Sequence, residues 1–404
     1  MVLNDPDFYR DRYPHYAALR AKAPVLPIPF AGSGSGSGSG AGAGDGAVVV
    51  TGHQEARQAL ASPALSKDTA AYFADKDSDR TLHPAVARNM LTTDPPEHTR
   101  LRRLVTRAFT TATVNRLRPA IEALARQLTA DWEPGRQVDL VEGLAAPLPV
   151  TVICELLGVP EHDRPAIGVW SAELFVTGDH TRIDAASHAL AAYMAELIAA
   201  KRTTPDEALI SELIAARDGD DAPLDEHELL SLAILLLVAG HETTTAAIGN
   251  GVLALLRHPE AWAELLARPD RVPAAVDELL RYDAPVSIAT WRWAPAATTL
   301  GPDPTPVPAG SPVFVCPGAA NRDPARFADP DRLDIGRPDA AAHLSFGHGV
   351  HRCLGAPLAH AEVEITLRVL LERFPAMRLA VPAEELTWRH SRLFRGLTAL
   401  PVRL

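Results

Sequence analysis

The chain has 404 residues, 47% of them hydrophobic and 22% charged, the mixture of an ordinary globular protein. A formal net charge of −11 argues against general nucleic-acid binding and gives no reason to expect an anionic membrane surface as partner. Three scattered cysteines, Cys154, Cys316 and Cys353, are too few for a disulfide framework or an iron–sulfur centre, which fits a reducing cytoplasm.

The N-terminus, Met1 to Asp7, has no basic stretch followed by an apolar one, so neither a signal peptide nor an anchor is expected. Val25–Ile28 and Ala47–Thr51 read as strands on either side of residues 31–46, AGSGSGSGSGAGAGDG. A tract of Gly, Ser and Ala cannot bury a core and reads as a flexible hairpin loop. It is no phosphate loop, because no Lys-Ser/Thr pair follows and no helix opens on it. Helical periodicity then dominates, over 97–109, 115–131, 139–157, 161–176, 182–201, 225–257, 273–283 and 357–373. Short β-like pieces stand at 286–293, 313–316 and 397–403, and no repeat is visible. The expected class is mainly α with a small β component.

In His98-Thr99-Arg100-Leu101-Arg102-Arg103, His98 and Arg102 share a helical face, while Arg100, Arg103 and Arg107 share another. Asp225 followed by Glu228 reads as a capping box opening a long helix, apolar on all sides and therefore expected to cross the core. Its longest strongly apolar run, Leu229 to Gly240, is too short to span a bilayer. At its middle stands Ala239-Gly240-His241-Glu242-Thr243-Thr244, where a glycine and back-bonding threonines predict a local bulge. Glu278-Leu279-Leu280-Arg281 sets an acid and a base three apart on one face.

The most informative segment is Phe346-Gly347-His348-Gly349-Val350-His351-Arg352-Cys353-Leu354-Gly355, one cysteine among glycines directly before a helix. Backbone N–H groups and the helix N-terminus favour a thiolate there, and glycines let backbone approach a flat ligand. Two other readings stand beside an iron thiolate. Zinc is one, with His343, His348, His351 and His360 near Cys353, but structural zinc sites usually bring paired cysteines. A plain buried thiol is the other.

The FxxGxHxCxG pattern resembles the haem-binding loop of the cytochrome P-450 family, the haem-thiolate monooxygenases, and the other motifs fall in that family's order. The resemblance implies one domain over 1–404, with haem b sandwiched between the long helix and the cysteine-loop helix. Cys353 would be its axial thiolate, with Phe346, Gly347 and Gly355 shaping the loop and Ala239 and Gly240 making room for dioxygen. Glu242 and Thr243 would be the acid–alcohol pair, Thr243 hydrogen-bonding the bound dioxygen and Glu242 helping to deliver protons. His98, Arg102, Arg292 and His351 would meet the propionates. Glu278, Arg281 and Arg332 would form a scaffold network. Met90, Leu91, Leu235, Val238, Val286, Ile288, Ala289 and Phe394 would line an apolar substrate pocket.

Arg100, Arg103, Arg107 and Arg352 would present a basic patch to an external ferredoxin, itself supplied by a ferredoxin reductase, since the chain carries no reductase module. The implied activity is hydroxylation or epoxidation of a hydrophobic secondary metabolite, macrolide or steroid, by a soluble, cytoplasmic monomer. Oxidative coupling on the same fold is the alternative; a non-catalytic haem binder or sensor is the alternative of another class.

Overall fold

A computed structural model describes residues 6–29, 46–74, 81–175, 179–217 and 224–404. Residues 31–45 of the Gly/Ser tract lie outside the described residues, whereas Gly46 already belongs to a strand. The flanking strands pair with each other: Val25–Pro29 runs antiparallel to Gly46–Val50, with Val25 opposite Val50. Gly46–Val50 in turn pairs parallel with Val313–Val315.

The long helix runs from Glu226 to Leu256, 31 residues and therefore about 45 Å. Its capping box is formed: the Glu228 N–H donates to Asp225 Oδ1 at 2.7 Å, and the Asp225 N–H donates to Glu228 Oε2 at 3.0 Å. The expected bulge is absent. Thr243, Thr244 and Thr245 donate their hydroxyls to the carbonyls of Ala239, Gly240 and His241 at 3.0, 3.2 and 3.2 Å, and the helix continues beneath them. The back-bonds supplement the backbone ladder here and do not open it.

This helix is long and apolar enough to cross a membrane, but 67% of its apolar window is buried by its neighbours. Pro147–Leu157, His180–Thr203, Val272–Tyr282 and Ala356–Arg373 pack around it, and their side chains join one hydrophobic core. Leu237, Leu229 and Leu255 are fully buried there, where truncation to Ala costs about 2–5 kcal/mol.

Two expected elements differ. Residues 139–157 split into a strand, Gln137–Asp139, a π-turn, Val141–Ala145, and the helix Pro147–Leu157. Pro147 has no N–H to donate and fits a helix start, so it begins the second piece. The stretch 286–293 is not a strand; it makes only isolated bridges, Val286 to Phe394 and Trp293 to Ser66 and Pro312.

Candidate active site

The cysteine loop is closed by its own backbone. The Cys353 N–H donates to Phe346 O at 2.8 Å, the Gly347 N–H to Leu344 O at 2.8 Å and the Arg352 N–H to Gly349 O at 3.0 Å. Gly347 and Gly349 have φ of 70° and 76°, in the left-handed region. A Cβ on Gly349 would stand 2.9 Å from Ala61 Cα and Leu60 O, so the position is closed to any side chain. At Gly355, by contrast, an added Cβ would meet nothing within 4 Å, leaving open space where the helix Ala356–Arg373 begins.

Cys353 itself is exposed. Desolvation by the loop pushes its thiol pKa up, against the lowering pull of the Gly355 and Ala356 N–H groups, Arg352 and Arg102. The backbone N–H groups expected to favour a thiolate are in place, opposed by desolvation, and a bound iron would add its own pull toward the thiolate. The zinc alternative finds no geometry. Among the described residues no three of His, Cys, Asp and Glu converge to hold an ion, and His343 and His360 turn toward Asp277 at 3.5 and 3.8 Å.

Beside the loop lies a buried surplus of positive charge. The His98 and His351 rings are 4.0 Å apart, and His98 Nδ1 and His351 Nε2 are buried without a hydrogen-bond partner. Arg292 is 4% exposed and donates Nη1 to Thr290 O at 3.0 Å; Lys67 is 2% exposed and donates Nζ to Thr290 Oγ1. Burial, then Lys67, His98, Arg292 and Arg102, drives His351 down to about 2. Burial lowers Arg292 to about 10 against the pull of Asp94, and sends Lys67 well below the ordinary lysine range. Asp94 is already engaged by the Ser66 hydroxyl at 2.5 Å and the Lys67 N–H at 3.0 Å.

Buried cations and orphaned imidazole nitrogens are costly unless an anion joins them. The two propionates of haem fit this donor set. Lys67 was not foreseen: a single lysine in Ser66-Lys67-Asp68 carries no local signal, and its burial follows from the long-range bridge of Ser66 to Trp293. Arg102 is half-buried and donates Nη2 to Arg352 O at 2.7 Å, tying its helix to the loop.

Between Ser231 and Leu255 the long helix is buried except at Leu235, Val238, Ala239, Gly240 and Thr243. Leu235, Val238 or Ala239, and Thr243 recur at helical spacing and form one open stripe. A Cβ on Gly240 would lie 3.1 Å from Ile153 Cγ1, so its smallness also serves packing on the helix Pro147–Leu157. Glu242 is 3% exposed and ion-paired to Arg389, with His241 Nδ1 3.6 Å from Oε1. His241 Nδ1 also lies 2.8 Å from Ser171 Oγ, and burial lowers its pKa.

Other pocket candidates disperse. Met90 is buried in the main core and Leu91 is half-buried beside it in the same short turn. Val286 bridges Phe394, whose ring meets Phe175 edge-on at 4.7 Å. Ala289 is half-buried against the sheet cluster and donates its N–H to Val315 O at 2.8 Å. Ile288 is no lining residue: it is buried with Phe8, Tyr16, Val49 and Cys316 in a separate N-terminal cluster.

The scaffold network holds a second correction. Arg281 donates to both oxygens of Glu278 at 2.6 and 2.9 Å, both side chains being fully buried. It also donates to the carbonyls of Asn321, Pro330 and Arg332. The second guanidinium on Glu278 belongs to Arg337, whose Nε lies 3.1 Å from Oε2; Arg332 is exposed and supplies only its carbonyl. Two arginines in one irregular stretch, Arg332-Leu333-Asp334-Ile335-Gly336-Arg337, invite this slip. In the basic patch, Arg100 is engaged with Glu228 of the long helix, while Arg103, Arg107 and Arg352 are exposed.

Residues 150–379 match the family model described as Cytochrome P450. Over 402 residues the chain is 44% identical to cytochrome P450 monooxygenase PikC of Streptomyces venezuelae, covering 98% of this chain and 92% of that protein. It is 40% identical over 413 residues to 6-deoxyerythronolide B hydroxylase of Saccharopolyspora erythraea, covering 100% and 98%. The solved structure of the P450 monooxygenase TamI with tirandamycin C bound superposes with a TM-score of 0.89 at 42% identity, covering 99% of each chain. A mainly helical fold, a glycine-flanked cysteine loop and full-length relatives of this kind make the chain a member of the cytochrome P450 family, a monooxygenase with a cysteine-ligated haem iron.

Proposed function

We propose that Cys353 is the iron ligand and that this single-domain enzyme oxygenates a hydrophobic secondary metabolite of the macrolide or steroid kind on the open stripe of its long helix. The observation that carries this reading is that stripe: three apolar side chains and one hydroxyl are accessible midway along a helix otherwise buried. An apolar wall with one placed polar group excludes water and orients an apolar ligand. The substrate class follows that of the relatives, among them a 6-deoxyerythronolide B hydroxylase and a tirandamycin C-binding monooxygenase.

Haem, when bound, supplies dioxygen activation, with thiolate electron donation favouring O–O cleavage. Lys67, Arg102, Arg292, His98 and His351 would hold its propionates. Glu278, Arg281 and Arg337 keep the segment before the cysteine loop in place. Thr243 presents its hydroxyl to the groove, and Glu242 carries protons toward it. Arg103, Arg107 and Arg352 receive the electron donor, a ferredoxin reduced by its own reductase. The enzyme is a soluble, cytoplasmic monomer.

A spin-state titration of the haem-loaded protein against steroids, macrolides, fatty acids and aromatic peptides tests the pocket. A macrolide or steroid is expected to shift the spectrum, and Ala239→Trp is expected to abolish that shift. A shift that survives the tryptophan would move the pocket elsewhere.

A further inference from the structure

Arg12, near the start of the chain, is only 1% exposed. Its Nη1 donates to the Ser287 hydroxyl, and its Nη2 donates to Ser391 O at 2.6 Å and Phe394 O at 2.9 Å. None of these acceptors is a carboxylate, so the buried charge is met by dipoles that it must hold in place. The acceptors belong to two segments that lie side by side. The Ser287 N–H donates to Leu393 O at 2.8 Å, the Arg395 N–H donates to Pro285 O at 2.8 Å, and Val286 bridges Phe394. Tyr9 adds a second hold, its ring stacked on His390 at 5.0 Å. On its other side the C-terminal segment rests on the long helix. A Cβ on Gly396 would stand 3.1 Å from Ala246 Cβ, three residues beyond Thr243, and Asn250 Nδ2 donates to Arg395 O at 2.9 Å. Phe394 thus belongs to the segment that meets the long helix where the open stripe ends, with Phe175 against its ring and Arg12 on its carbonyl.

We propose that Arg12 is a positioning residue for substrate recognition: by gripping Ser287 and the carbonyls of Ser391 and Phe394, it fixes the Phe394 ring as the end wall of the groove and so sets the length of apolar ligand the enzyme accepts. This rests on the reading of Phe394 as a groove residue. A wall already held before binding costs nothing to order when a ligand arrives, whereas a freed side chain costs up to about tenfold in affinity. Only ligands long enough to reach Phe394 feel the difference.

The probes are N-alkylimidazoles from methyl to dodecyl, whose ring nitrogen ligates haem iron while the chain runs into the groove. Binding to the haem-loaded protein is read from the shift of its main absorption band. Arg12→Gln is expected to weaken the dodecyl compound about tenfold and to leave N-methylimidazole at the parent affinity. Added to Phe394→Ala, it should have no further effect on any chain length, because both changes act through one side chain. Arg12→Lys keeps the buried charge but cannot reach all three acceptors at once; it should show the same split in smaller measure, and it is read if Arg12→Gln does not fold. Parent affinities along the whole series in the Arg12 variants, or an equal loss at every chain length, would overturn the proposal. Phe394→Ala separates the two levels. If it leaves long-chain binding at the parent value, the reading of Phe394 as a groove residue fails. If it alters long-chain binding while the Arg12 variants bind like the parent, only the role of Arg12 fails.

Discussion

Glu278 and Glu242 are both buried acids on helices, and their surroundings are opposite. Glu278 accepts from Nε and Nη2 of Arg281, from Arg337 and from the Asp334 N–H. Arg281 is in turn satisfied by Glu278 and by the carbonyls of Asn321, Pro330 and Arg332, so both buried charges sit in one satisfied network. Glu242 has one cation, on the surface side, and His241, whose pKa burial lowers. A fully partnered charge cannot leave its place without large cost, whereas a singly held one can exchange partners. The first arrangement suits a scaffold that fixes the cysteine loop; the second suits a group that moves.

That contrast is broken most severely at Arg281. Arg281→Ala leaves the Glu278 charge sealed without its main partner and is expected to cost about 3–5 kcal/mol, seen as a lower denaturation midpoint or loss of folded protein. A cost under 1 kcal/mol would mean that the network is not a scaffold.

A third buried acid sharpens the comparison from the other end. Glu362, on the helix Ala356–Arg373, has a buried Oε2 with no hydrogen-bond partner, and burial pushes its pKa up to about 8. With the ordinary value near 4.5, the folded state binds the extra proton between these pH values, so Glu362 makes stability fall as pH rises from about 4.5 to about 8. Glu362→Gln, neutral at all pH, is expected to flatten that decline in a pH series of unfolding midpoints. An unchanged slope would show that Glu362 is already ionised in the fold.

The smallest effect separates two arginines. Arg337→Ala removes a guanidinium from Glu278 and is expected to lower the midpoint clearly, though less than Arg281→Ala. Arg332→Ala removes only an exposed side chain and should leave it unchanged. The reverse order would restore Arg332 to the network.

What was legible in the sequence was local. The capping box at Asp225, the Glu278–Arg281 pair and the cysteine loop each lie within a few residues and need only helical spacing or glycine to be recognised. What was missed depends on distant segments meeting. Lys67 is buried because Ser66 pairs with Trp293; Arg389 matters because the C-terminal segment reaches the middle of the long helix. Arg337 displaces Arg332 because the irregular chain after Pro330 folds back on Glu278. Ile288 turns away from the groove because residues 286–290 pass between two clusters instead of forming a strand. No periodicity encodes these encounters.

The central assignment is the thiolate of Cys353. The absorption spectrum of the reduced, CO-bound protein tests it most directly in Cys353→Ser, read beside total haem content. The account predicts that the thiolate signature of the parent disappears while the protein stays folded. A variant that keeps the signature would contradict it.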